Sequence, residues 1–200
     1  MRKIDPEKHE AKRRQILDAA LTCFARKGFH GTSINDICVE AGMSQGNLFH
    51  YFPNKSALIN AIAEADRKEM AERFAQMAEQ DDVIGAIEAL ALELMELSLD
   101  PIYARVSLEI MAEAMSDSEV GRLYTENDRR IKDDLVTLLI YGISKGQIDP
   151  ELQPETAATW LVALADGAVS RAHIDPDFSV RSHAPMLMRL IRRFLKSSDG

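Results

Sequence analysis

Between Ser44 and Lys55 the sequence reads SQGNLFHYFPNK and crowds several kinds of hydrogen-bonding group into twelve residues. Gln45 and Asn47 carry carboxamides, each presenting a donor beside an acceptor, the pattern that matches adenine N7 and N6 in a major groove. Ser44, His50, Tyr51 and Lys55 add hydroxyl, imidazole, phenol and ammonium donors, and Thr32 and Ser33 add two hydroxyls upstream. Such groups near helix starts suit phosphate oxygens, which fix register without reading sequence. Gly46, lacking a side chain, would let backbone approach a groove closely. Catalysis is poorly served. His9, His30, His50, His173 and His183 are scattered, and no nucleophile-base spacing or phosphate-cradling glycine loop is present. The expectation is a binding surface, with no enzyme activity, no cofactor and no metal.

Such a surface needs short helices joined by a sharp turn. Ile16, Ala20, Cys23 and Phe24 follow helical spacing and Lys27-Gly28 supplies a stop, so the first helix is expected from Pro6 to Lys27. Lys12, Arg13 and Arg14 near its start oppose the helix macrodipole and are free to meet an external anion. Thr32 or Ser33 caps a second short helix with Ile34, Ile37, Cys38 and Ala41 on one stripe; Gly42 ends it and Ser44 caps a third. Only Gly42 and Met43 separate the second helix from that cap, as in a helix-turn-helix. In the third helix Leu48 and Phe52 face inward, which leaves Gln45, Gly46, Asn47, Phe49, His50 and Tyr51 for other faces. Pro53-Asn54 breaks the chain, and Asn54 caps a long fourth helix reaching Gln80. Lys55 in its first turn is a cation that calls for a nearby anion, which a phosphate would supply.

Further helices are expected over 81–98, 101–115, 116–145, 154–173 and 182–196, and nothing reads as a strand. The fold class is therefore all-α, with a three-helix helix-turn-helix domain over residues 1–55 and a larger helical domain over 56–200. Apolar residues make up 46% and charged residues 28% of the chain, the profile of an ordered soluble protein. The net charge of −8 hides a division: residues 1–55 hold nine Lys/Arg against six Asp/Glu, and residues 56–200 hold 15 against 26. A basic head before an acidic body implies two jobs. No apolar run suits a membrane span, and MRKIDPEKHEAKRR lacks the apolar stretch of a signal peptide, so a cytoplasmic location is expected. Cys23 and Cys38 fall on helix faces expected to be buried, where thiols pack as small hydrophobes.

The stretch RRQILDAALTCFARKGFHGTSINDICVEAGMSQGNLFHYFPNKSALI resembles the TetR family of bacterial transcriptional repressors over its whole DNA-binding domain. The resemblance implies a double-stranded DNA operator as partner, with Gln45 and Asn47 as base readers and Thr32, Ser44, His50, Tyr51 and Lys55 on phosphates. Phe49 departs from the pattern, because many family members carry Tyr there and Phe has no hydroxyl to offer.

A lone helix-turn-helix binds weakly, and symmetrical pairing is the usual remedy, which makes a homodimer on a palindromic operator the expectation. Leu161, Leu164 and Ala168, with Leu187, Leu190, Ile191 and Phe194, are candidates for a four-helix interface. The resemblance also implies a pocket for a small-molecule effector in this half. Met70, Phe74, Met77, Tyr103, Met111, Tyr124 and Trp160 are candidate lining residues, since Met and aromatic groups adapt to apolar ligands. One or two of Glu93, Glu96, Glu109, Glu113 and Asp166 entering such a pocket would favour a cationic ligand. KGQIDPELQPETAATWLVALADG looks similar to regulators grouped with the choline-responsive repressor BetI, a likeness that names no ligand.

Overall fold

The computed structural model describes residues 5–115 and 119–196, with the side chains of 109, 110, 113, 114, 119 and 120 outside the description. Every regular element among the described residues is helical, as the all-α expectation requires: α1 Pro6–Gly31, α2 Ile34–Glu40, α3 Gln45–Tyr51, α4 Lys55–Ala78, α5 Val83–Leu97, α6 Pro101–Ala114, α7 Glu119–Ser144, α8 Pro154–Ile174 and α9 Val180–Leu195. The expected start of the seventh helix at Ser116 lies outside the described residues, as do the side chains of Glu109 and Glu113. No helix among those described is long and apolar enough to cross a membrane. The chain forms two compact units, one from the described residues of 5–65 and 105–124, the other from those of 66–104 and 125–196.

In the first unit α1 buries Ile16, Ala20, Cys23 and Phe24 against Ile37 of α2, Leu48 of α3, Phe52 and Leu58. Burial pushes the thiols of Cys23 and Cys38 up from their ordinary pKa, so both stay as packed, protonated thiols. The first helix breaks where the sequence places its stop: Gly28 has φ 72°, and a short helical stretch then runs on to Gly31. The α2–α3 turn is a Schellman motif. Gly42 adopts φ 62°, its N–H donates to Val39 O at 3.2 Å, and the Met43 N–H donates to Cys38 O at 2.9 Å. Gln15 of α1 donates through Nε2 to Ala41 O at 2.8 Å, which ties that turn to the first helix.

In the second unit α5 packs against both α8 and α9 over a core that includes Val83, Ile84, Ile87, Leu138, Leu139, Ala158, Ile191 and Leu195. Glu88 of α5 is 9% exposed and accepts a forked pair of hydrogen bonds from Arg192 of α9, with Nε on Oε1 at 2.8 Å. Gln147 bridges the start of α5, accepting from the Val83 N–H at 2.7 Å and donating to Asp81 O at 2.5 Å. Arg73 of α4 reaches Glu93 of α5 at 2.6 Å, which pairs that carboxylate within this unit.

Candidate nucleic-acid interface

The candidate surface is the short helix α3. Ser44 caps it by accepting the Asn47 N–H at 3.3 Å, a bond that leaves the hydroxyl proton for another acceptor. Within α3 only Leu48 is buried, anchoring the helix in the core, while Gln45, Gly46, Asn47, Phe49 and His50 are exposed. Full burial of such a Leu contributes about 1.5–3 kcal/mol, enough to hold a helix of this length in one orientation. Phe49 is 45% exposed, so part of its ring faces outward. Tyr51 is half-buried, with the His9 ring 4.7 Å from its centroid and the His50 ring edge-on at 5.6 Å. A Cβ at Gly46 would meet nothing within 4 Å. Glycine is therefore not required there by the fold.

The supporting corner between α1 and α2 differs from expectation. Thr32 was expected on a phosphate; it is 2% exposed, and its hydroxyl donates inward to Gly28 O at 2.7 Å and Cys23 O at 3.0 Å. The carbonyls left open at the end of α1 need donors, and Thr32 supplies one. Ser33 is the helix cap, exposed but closed in a capping box: its N–H and hydroxyl both donate to Asp36, whose N–H it accepts at 3.1 Å. Lys27, through a 2.6 Å hydrogen bond, and then Ser33 hold the Asp36 carboxyl well below the usual carboxylate range. The Lys55 ammonium also turns inward. It donates to Phe29 O at 2.6 Å and Thr32 O at 2.9 Å and sits 4.3 Å from the Phe29 ring centroid. The acceptors beside Lys55 include two backbone carbonyls, in the place where the sequence calls for an anion.

Two residues that sequence reasoning passed over belong to this surface. His9 of α1 packs its ring, tilted, against that of Tyr51, and Asn35, exposed on α2, accepts from Gln45 Nε2 at 3.5 Å. Neither carries a motif signal, since each matters through a neighbour distant in sequence.

The remaining candidates divide by burial. Phe74 and Met77 lie in the core of the second unit with Met70 packed on it, and Tyr103 is half-buried; Met111 and Tyr124 are half-buried in the first unit. Trp160 is 60% exposed, which removes it from the set of internal lining residues. Of the interface candidates, Ile191 is 2% exposed and Leu161 8%, both packed in their own core and unavailable to a partner. Leu164, Ala168 and Leu187 are half-buried, while Leu190 and Phe194 are exposed. Met186, Leu190 and Phe194 recur every four residues and form an apolar stripe on α9 that the described residues leave exposed. Asp166 is half-buried, and burial, with Asp128 adding to it, raises its carboxyl above the usual range.

A helix-turn-helix with an exposed, amide-bearing third helix, followed by an all-helical body, defines a DNA-binding regulator. Residues 16–62 match the family described as bacterial regulatory proteins, tetR family, and residues 84–196 match the BetI-type transcriptional repressor C-terminal family. The chain belongs to the TetR family and is a helix-turn-helix transcriptional regulator. It is similar to the regulator UidR of Escherichia coli strain K12, with 27% identity over 187 residues, 93% of this chain and 94% of that protein. The repressor AcnR of Corynebacterium efficiens is 26% identical over 162 residues, 80% of each chain. Among solved structures, Salmonella enterica GusR superposes with a TM-score of 0.82 at 31% identity, covering 94% of this chain and 96% of that one.

Proposed function

We propose that the chain is a cytoplasmic, homodimeric repressor, without catalytic activity, that leaves a palindromic operator when a small-molecule effector binds. The observation that carries the operator-binding part is α3, which buries Leu48 alone and presents Gln45, Asn47 and His50 outward from a capped, braced helix. Gln45 and Asn47 read base edges; Ser44, His50 and Tyr51 meet phosphates. Support for pairing comes from the exposed stripe of Met186, Leu190 and Phe194 on α9. Repression is favoured by the match to BetI-type repressors over residues 84–196. Within the second unit, the half-buried Met70 and Tyr103 are the residues offered to an effector. An effector that prefers the arrangement of the middle helices in which the operator is bound less well lowers operator affinity by the difference in its affinity for the two states.

The test is affinity for duplexes selected from a random library. Asn47→Ala is expected to relax preference at one base position by about 1–3 kcal/mol, whereas Tyr51→Phe weakens all sites alike. Unchanged affinity and preference in both variants would remove α3 as the reading surface.

Gly46 gives a second test. With open space at its Cβ, Gly46→Ala is expected to stabilise the fold by about 0.5–1 kcal/mol, because alanine favours a helix. Operator affinity is expected to fall in the same variant, because the added methyl holds α3 away from the groove. Thermal melting and binding isotherms on one preparation check both signs. A variant that is more stable and binds equally well would show that no close approach occurs at Gly46.

A further inference from the structure

We propose that Asn35 is a positioning residue whose hydrogen bond sets which base the Gln45 amide reads. This rests on the assignment of Gln45 as a base reader and adds what decides its choice. Asn35 stands on the exposed side of α2, one residue into the helix, and α2 is held by the Ser33–Asp36 capping box and the Lys27–Asp36 pair. Its side chain is therefore carried on a fixed backbone. Gln45 is the first residue of α3, and its Nε2 donates to Asn35 Oδ1 at 3.5 Å, across the turn that joins the two helices. Both side chains are exposed, so in the free protein this contact competes with water. Docking on DNA expels that water and favours the shorter bond.

The direction of the bond has a chemical consequence. A carboxamide nitrogen carries two hydrogens, one on the same side as the oxygen and one on the far side. When the far hydrogen is donated to Asn35 Oδ1, the outward edge of Gln45 shows one N–H beside Oε1. That pair matches adenine N7 and N6. Were Gln45 to accept from Asn35 through Oε1, its outward edge would show N–H donors alone, which suits the two acceptors of guanine, N7 and O6. Asn35 as acceptor thus selects adenine over guanine without touching a base.

The experiment is duplex selection followed by binding measurements for the full chain and for Gln45→Ala, Asn35→Ala, Asn35→Asp and Asn35→Ala/Gln45→Ala. The position that Gln45 governs is the one whose preference Gln45→Ala abolishes. There Asn35→Ala is expected to reduce adenine preference about 5- to 10-fold and admit guanine, and the double variant is expected to lose no more than Gln45→Ala alone. Asn35→Asp keeps an acceptor, so it retains the adenine preference while its charge weakens binding to all duplexes. A merely structural role for Asn35 would not divide the two substitutions in this way. Full adenine preference in Asn35→Ala, or additive losses in the double variant, would overturn the inference and leave Gln45 as a base reader. If Gln45→Ala leaves every position unchanged, the base-reader assignment falls and the inference falls with it.

Discussion

Arg192→Ala is expected to lower the unfolding midpoint by roughly 5–10 °C. Glu88 is 9% exposed and faces Arg192 across the packed α5 and α9 helices, with both carboxylate oxygens engaged by the guanidinium. Removing the arginine leaves that carboxylate buried without its partner, and the cost is the desolvation of Glu88 more than the loss of the contact itself. The pair is not irreplaceable for the same reason. Glu88→Leu combined with Arg192→Leu is expected to recover most of the midpoint, because an apolar pair of similar size needs no solvation. Thermal unfolding of the two variants side by side checks this. Equal losses in both would mean that the helices depend on the ion pair as such.

Lys55→Ala is expected to cost about 2–4 kcal/mol of stability, since two charge-assisted hydrogen bonds and a cation–π contact disappear together. The ammonium closes the carbonyls of Phe29 and Thr32 at the corner from which α2 departs. Loss of the brace is expected to loosen that corner and weaken operator binding indirectly. Salt dependence separates this from a direct phosphate contact. A lysine that neutralises a phosphate lowers the slope of log affinity against log salt by about 0.9 when removed. Here the slope is expected to change little while the unfolding midpoint falls. A variant with an unchanged midpoint and a slope lowered by about one would restore Lys55 to the phosphate set.

These two residues mark where sequence reasoning stops. Caps are local, and they are legible: Ser33, Ser44 and Asn54 each accept a backbone N–H three residues on, at 3.1, 3.3 and 2.8 Å. The stops at Gly28 and Gly42 are equally local, because a positive φ is a property of one residue and its chemistry. Leu48 and Phe52, an apolar pair four residues apart with polar residues at most of the remaining positions of α3, are buried as that local pattern suggests. Spacing does not say which stripe of an amphipathic helix meets the core. On α9, Ile191 and Leu195 are buried while Leu190 and Phe194 are exposed, though all four are apolar. The packing of α5 against α9 makes that choice, and no pattern within α9 contains it.

The same division runs through the candidate site. By itself the sequence determined an all-helical chain, the helix-turn-helix, its caps and the amide-bearing face of α3, because each depends on residues within about a turn of one another. Only the tertiary structure decided that Thr32 and Lys55 turn inward, that Trp160 lies outside, and that Asn35 meets Gln45. A polar side chain takes the partner that is nearest in space. For Lys55 that partner is a carbonyl 26 residues away along the chain, a proximity that packing creates and local sequence does not encode.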